Sequence, residues 1–74
     1  MARCVYEVRE SGYPEGKMFG QPSGATKYLR ENFNCSFPSG SVGQLKEGSI
    51  SQIQTTGKRD GEKVYFVVMR HEVR

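Results

Sequence analysis

Residues 45–69 have the sequence LKEGSISQIQTTGKRDGEKVYFVVM, and this stretch decides the fold of the 74-residue chain. A helical pattern ends at Gly48, and two strand-like segments follow it, residues 50–56 and 63–73. Asp60-Gly61 stands between the two segments, and because both residues tolerate positive φ they favour a type I′ turn. The pattern therefore predicts a β-hairpin with three basic residues at its tip: Lys58, Arg59 and Lys63.

The second strand of this hairpin carries apolar side chains on both of its faces. Alternation places Val64, Phe66 and Val68 on one face and Tyr65, Val67 and Met69 on the other. Strands that are apolar on both faces are typical of sheets covered on both sides. We therefore expect this strand to be central in the sheet and covered on both sides.

The first half of the chain predicts one strand and one long helix. Residues 3–10 alternate in polarity as a strand does, and residues 17–20 form either a short returning strand or a loop. Residues 25–33 carry an apolar stripe at helical spacing. Ser23 is the predicted N-cap of this helix, and Asn34 is the predicted left-handed residue that ends it.

A shorter helix is predicted over residues 41–47. Ser39 suits its N-cap and Gly48 its C-terminal cap, while Gly43 weakens it by about 1 kcal/mol relative to Ala. The elements together predict a single α+β domain, residues 1–74, in which a three- to four-stranded antiparallel sheet carries one main helix and one short helix. The predicted core consists of Tyr6, Val8, Ala25, Leu29, Phe33, Val42, Leu45, Ile53, Phe66 and Val68.

Size and charge limit the classes of function. About 35% of the residues are apolar, and so small a core leaves little material for an enzyme pocket and leaves dimerisation open. Eleven Lys/Arg against eight Asp/Glu give a net charge of +3. This mildly basic balance permits nucleic-acid binding without requiring it.

Neither compartment signals nor catalytic motifs are evident. Cys4 and Cys35 do not make a disulfide framework, and there is no targeting segment or apolar run of roughly 20 residues, so we expect a cytoplasmic protein with reduced thiols. Cys4, Cys35 and His71 are the candidates for a nucleophile–base pair or a metal site, and their spacing fits no zinc cluster. We expect a protein that is not an enzyme and that carries no metal and no cofactor.

The order helix, turn, short helix and hairpin over residues 25–68 resembles a reduced winged helix-turn-helix domain. In that resemblance residues 25–33 are the first helix, residues 41–47 the recognition helix and residues 50–68 the wing. A strand stands where the family has its leading helix. The resemblance implies a small intracellular regulator that binds double-stranded DNA by occupancy, as a monomer or a homodimer.

The resemblance also implies which residues contact DNA. The start of a recognition helix meets base edges in the major groove, and basic side chains of a wing contact phosphates or the minor groove. The implied nucleic-acid-binding residues are Ser39, Ser41, Gln44 and Lys46 in the recognition helix, Lys58, Arg59 and Lys63 in the wing, and Lys27 and Arg30 in the first helix.

Two alternatives remain open. Tyr13, Phe19 and Phe37 lie in loops rich in Gly, Pro and Ser, where exposed aromatic side chains would suit a module that docks on a larger protein, as small phage-encoded inhibitors do; otherwise they fold back over the core. Tyr65 or Phe66 could stack on RNA bases, although core packing of a central strand is the favoured interpretation of both.

Overall fold

The computed structural model describes residues 3–37 and 40–73. These ranges form, in order, β1 (Arg3–Glu10), β2 (Lys17–Phe19), α1 (Pro22–Phe33), α2 (Ser41–Glu47), β3 (Gln52–Arg59) and β4 (Glu62–Val73). The strands make one antiparallel sheet in the order β2-β1-β4-β3. The predicted α+β class, with a small antiparallel sheet, one main helix and one short helix, is confirmed.

The centre of the sheet is the pairing of β1 with β4, which runs from Arg3 opposite Val73 to Glu10 opposite Phe66. β3 and β4 form the predicted hairpin, and β3 begins two residues later than expected, at Gln52. Asp60 and Gly61 have φ values of 51° and 82°, as the two central residues of a type I′ turn require. The turn chemistry therefore sets the register of this hairpin.

Both helices pack on one face of the sheet, and the core lies between the helices and that face. The buried cluster contains Tyr6, Val8, Ala25, Leu29, Cys35, Leu45, Ile53, Phe66 and Val68. Phe33 and Val42, which the sequence placed in the core, are only partly buried and pack against the cluster. Every other predicted core residue is buried, and Cys35 is an addition to the predicted set.

α1 begins three residues earlier than predicted. Gln21 is its N-cap, with extended φ and ψ of −135° and 141°, and Pro22 occupies the first turn, where the N–H that proline lacks would have no helical partner. The prediction that Ser23 caps the helix is therefore wrong; its carbonyl instead accepts a hydrogen bond of 3.0 Å from the Thr26 hydroxyl. At the other end Asn34 has φ of 52°, which confirms the predicted terminator.

α2 has the predicted bounds. Gly48 ends it with φ of 84°, and its backbone N–H donates to the carbonyl of Leu45 at 3.2 Å. Gly40 stands at the N-cap with φ of 83°. Ser39, the predicted N-cap, lies outside the described residues.

β4 is central, as predicted, but only one of its faces is covered. Phe66 and Val68 are buried beneath the helices, while Tyr65 is 55% exposed on the opposite face. The prediction of cover on both sides is wrong because α1 and α2, joined by a connector of only seven residues, return to the same face of the sheet. Over the described residues the other face has no covering layer.

Candidate nucleic-acid interface

The face of the sheet turned away from the helices is here called the open face. Its side chains are those in phase with Tyr65 in the strand register. They are Arg3, Val5, Glu7 and Arg9 from β1, Met18 from β2, Gln52, Gln54, Thr56 and Lys58 from β3, and Lys63, Tyr65, Val67, Met69, His71 and Val73 from β4.

The open face combines exposed apolar groups with a row of uncharged polar groups. Tyr65 and Met18 are 55% and 53% exposed. Along the neighbouring edge strand β3, Gln52, Gln54 and Thr56 are all exposed. Such a surface offers stacking and van der Waals contact at its centre and hydrogen-bond donors and acceptors along one side.

Two cavities border Val67. The first, of about 270 Å³, is also lined by Gln52 and Tyr13. The second, of about 480 Å³, is also lined by Tyr65 of the open face and Phe66 of the opposite face. Val67 contributes to the lining of both.

Among the described residues, positive charge is concentrated on the open face. Four basic residues, Arg3, Arg9, Lys58 and Lys63, stand there against one acidic residue, Glu7. The other described residues include six Lys/Arg and seven Asp/Glu. The open face is therefore the basic side of the described molecule, where its field acts on a ligand.

Glu7, the one carboxylate on this face, is already partnered. Its Oε1 lies 2.9 Å from Nε2 of His71, and its Oε2 lies 3.7 Å from Nε of Arg9. Arg9 also contacts the Met69 sulfur through Nη2 at 3.2 Å. These contacts link the side chains of β1 to those of β4 across the open face.

The hairpin end of the open face is the most basic part of it. Lys58 and Lys63 are directly opposite one another in the register, and among the described residues neither makes an ion pair. The Lys63 ammonium lies 5.5 Å from the centroid of the Tyr65 ring. At this end of the sheet, therefore, Lys63 lies over the exposed Tyr65 ring and Lys58 is its neighbour on the adjacent strand.

The structure does not bring the sequence-predicted residues together on one surface. Ser41, Gln44 and Lys46 belong to α2 on the helix side of the sheet, with Lys46 facing the start of α1 around a cavity of about 390 Å³. Lys58 and Lys63 lie on the open face. Ser39 is outside the described residues.

Arg59 lies on the opposite face from its neighbour Lys58. It donates from Nη1 to Glu10 Oε2 at 3.4 Å and pairs through Nη2 with Glu10 Oε1, and its guanidinium carbon is 5.3 Å from the Phe33 ring centroid. The hydrogen bonds to Glu10 raise the pKa of the Arg59 guanidinium. Arg59 therefore ties the hairpin to β1 and the end of α1.

The other candidates are dispersed. Lys27 is exposed on α1, and the guanidinium of Arg30 stacks 5.3 Å from the ring centroid of Phe37. Phe19 and Phe37 pack against the core, while Tyr13 is 56% exposed. The prediction that Phe19 lies in a loop is wrong, because Phe19 ends β2; of the three aromatic residues, Tyr13 alone is largely exposed among the described residues.

The cysteines and the histidine are also separated by the sheet. Cys35 is buried on the helix side and Cys4 is half-buried, in phase with the helix-facing strand positions. His71 is on the open face, paired with Glu7. Among the described residues, therefore, the register places the Cys4 and His71 side chains on opposite faces.

Sequence reasoning missed Gln52, Gln54 and Thr56 as surface residues of the candidate site. The signal was present: residues 52–58 alternate Gln, Gln, Thr and Lys with Ile, Thr and Gly, which is the pattern of a strand with one solvated face. The sequence offers Tyr65 as a possible base-stacking residue but favours core packing for it, because the strand that carries it is apolar on both faces; with 55% of its side chain exposed, Tyr65 is not a core residue.

Comparisons of this chain with family models, with curated proteins and with solved structures find no match. Within the described residues no helix has the length and apolar character needed to cross a membrane.

Proposed function

We propose that this chain is a small nucleic-acid-binding domain that acts by occupancy, and that the open face is its binding surface. The observation that carries the proposal is the location of the positive charge: among the described residues the open face has four Lys/Arg against one Glu, while the other residues have six Lys/Arg against seven Asp/Glu. A surface that concentrates Lys and Arg attracts polyphosphate and releases its counterions.

The polar row on β3 favours nucleic acid over other anionic partners. Gln52, Gln54 and Thr56 present amide and hydroxyl groups beside the basic residues, and such groups hydrogen-bond bases, sugars and phosphates. A second copy of the chain is disfavoured at this surface because two faces that each carry +3 repel. We also propose a cytoplasmic location, which suits the free thiols of Cys4 and Cys35.

The proposal keeps the nucleic-acid partner and the hairpin lysines that the sequence suggested, and moves the principal contact surface from α2 to the sheet. Binding of duplex DNA through Ser41, Gln44 and Lys46 stays a separate prediction. The two binding modes depend on different lysines. Binding through the open face requires Lys58 and Lys63, and binding through α2 requires Lys46.

A salt titration with neutral lysine variants tests the proposal. Affinity for a labelled mixed-sequence oligonucleotide is measured between about 50 and 200 mM salt, for the wild type and for Lys58→Gln, Lys63→Gln, Lys46→Gln and Lys27→Gln. All four variants change the net charge equally, so overall charge is controlled. We expect Lys58→Gln and Lys63→Gln each to lower the salt slope by about one, and Lys27→Gln and Lys46→Gln to leave it unchanged.

Two results would count against the open face. If Lys46→Gln weakens binding as much as Lys58→Gln, the helix α2 is part of the interface. If the wild type binds no oligonucleotide even at low salt, the chain is not a nucleic-acid-binding protein, and the protein-docking alternative, now resting on the exposed Tyr13, takes its place.

A further inference from the structure

Tyr65 is the exposed aromatic residue of the open face, and it stands on a central strand. Its side chain is 55% exposed, and it lies just beyond the Glu10–Phe66 end of the β1–β4 ladder, opposite Thr56 of β3. The aromatic contacts of the core run from Phe19 through Tyr28 and Phe33 to Phe66 on the other face. Tyr65 takes no part in that chain of rings, so core packing does not account for it.

The surroundings of Tyr65 suit a nucleotide. Lys63 lies 5.5 Å from its ring centroid, Lys58 faces Lys63, and Thr56 is directly opposite Tyr65 on the edge strand. A base stacked on the ring would have two cations within reach of its phosphates and a hydroxyl beside it. A cavity of about 480 Å³, lined in part by Gln54, Tyr65 and Val67, adjoins this surface.

A base inside a duplex is not available to the Tyr65 ring. Both of its faces are stacked on neighbouring base pairs, so a base can lie on Tyr65 only if it is unpaired and turned out of its stack.

Building on the proposed function, we infer that the open face binds single-stranded nucleic acid, with one base stacked on Tyr65 and its flanking phosphates at Lys58 and Lys63. Stacking on an aromatic ring is tolerant of sequence because every base has a π face. The site thus recognises single-strandedness rather than a particular sequence.

The test compares Tyr65→Ala with Tyr65→Phe on a single-stranded oligonucleotide and on the duplex of the same sequence. Removing a stacking ring lowers affinity by roughly ten- to a hundred-fold, so we expect that loss for Tyr65→Ala on the single strand. Tyr65→Phe keeps the ring and should bind within about two-fold of the wild type. Urea unfolding checks that each variant is folded.

The outcomes separate this inference from the function on which it rests. If Tyr65→Ala binds the single strand as the wild type does, or if the duplex competes equally well, the stacking site is rejected, while weaker binding by Lys58→Gln still supports a nucleic-acid surface. If the wild type binds neither strand form at low salt, both proposals are rejected together.

Discussion

Lys58 lies directly opposite Lys63 in the β3–β4 ladder, one residue pair from the turn. Like charges that face each other across a strand pair destabilise a sheet, and among the described residues neither lysine has an acidic partner. A like-charged pair that costs stability, with Lys63 contacting the Tyr65 ring of the open face, is typical of a surface retained for binding. The arrangement gives the open face a local concentration of positive charge at the hairpin end.

Replacing Lys58 with Glu should therefore make the protein more stable and a weaker binder. The free energy of unfolding should rise by about 0.2–1 kcal/mol, because a repulsive cross-strand pair becomes an attractive one, and the gain should shrink in about 1 M salt. Urea unfolding gives the stability and an oligonucleotide titration gives the affinity. Lys27→Glu on α1 is the control with the same charge change, and equal stabilisation by it would mean that general charge, rather than the Lys58–Lys63 pair, is responsible.

Replacing Arg59 should mainly lower the stability of the protein. Its guanidinium is held by the Glu10 carboxylate and lies over Phe33, so Arg59→Glu places two carboxylates together and should lower the urea midpoint. The double variant Glu10→Arg/Arg59→Glu reverses the pair and should recover most of that loss. If the single and double variants unfold at the same urea concentration, the pair does not fasten the hairpin to β1.

Gly57 marks the closest approach of β3 to the end of α1. A Cβ atom there would stand 2.6 Å from the Cys35 sulfur and 2.6 Å from the Phe33 carbonyl oxygen, and backbone cannot easily move away. Gly57→Ala should lower the free energy of unfolding by about 1–3 kcal/mol, the usual range for overpacking.

Gly43 offers the matched comparison for Gly57. A Cβ atom at Gly43 would meet nothing within 4 Å, and Gly43 lies inside α2. Gly43→Ala should therefore raise the free energy of unfolding by about 1 kcal/mol through helix propensity. Urea unfolding should therefore show that Gly57→Ala is less stable than the wild type and that Gly43→Ala is more stable. A Gly57→Ala variant as stable as the wild type would contradict the close packing of α1 on β3.

Local rules account for what the sequence predicted correctly. Asp60-Gly61 specifies the hairpin turn, Asn34 ends α1, and Gly48 ends α2, each through a backbone conformation that few residues adopt. The start of α1 was misplaced because Pro22, in the first turn, outweighed Ser23 as a start signal. These features depend on residues close together in the chain.

Which face of the sheet the helices cover depends on contacts between residues far apart in the chain. The sequence pattern predicted cover on both faces, and this prediction is wrong. The alternation of side chains along β4 separates its two faces, but both faces are apolar, so the pattern does not indicate which face packs against α1 and α2. Tyr65 was consequently assigned to a covered face. The candidate site depends on that choice, since Lys58, Lys63 and Tyr65 converge only once the register of three strands is known; the resemblance to a winged helix directed attention to α2 instead.

Cys35 should make the stability of the protein depend on alkaline pH. Its side chain is buried, and burial raises the pKa of the thiol, so the unfolded chain loses this proton at a lower pH than the folded chain does. The protonated Cys35 thiol therefore contributes to the free energy of unfolding. This contribution is present in full below about pH 8.5, the ordinary pKa of a thiol. It is lost as the pH rises towards the raised pKa, at no more than about 1.4 kcal/mol per pH unit. Urea unfolding at neutral pH and at pH values above this threshold should show a steeper decline for the wild type than for Cys35→Ala, which lacks the thiol. The comparison between the two proteins removes the effect of Lys and Tyr groups that titrate in the same range. Identical declines would mean that the Cys35 thiol ionises equally in the folded and unfolded chain, contrary to its place in the core between Gly57 and α1.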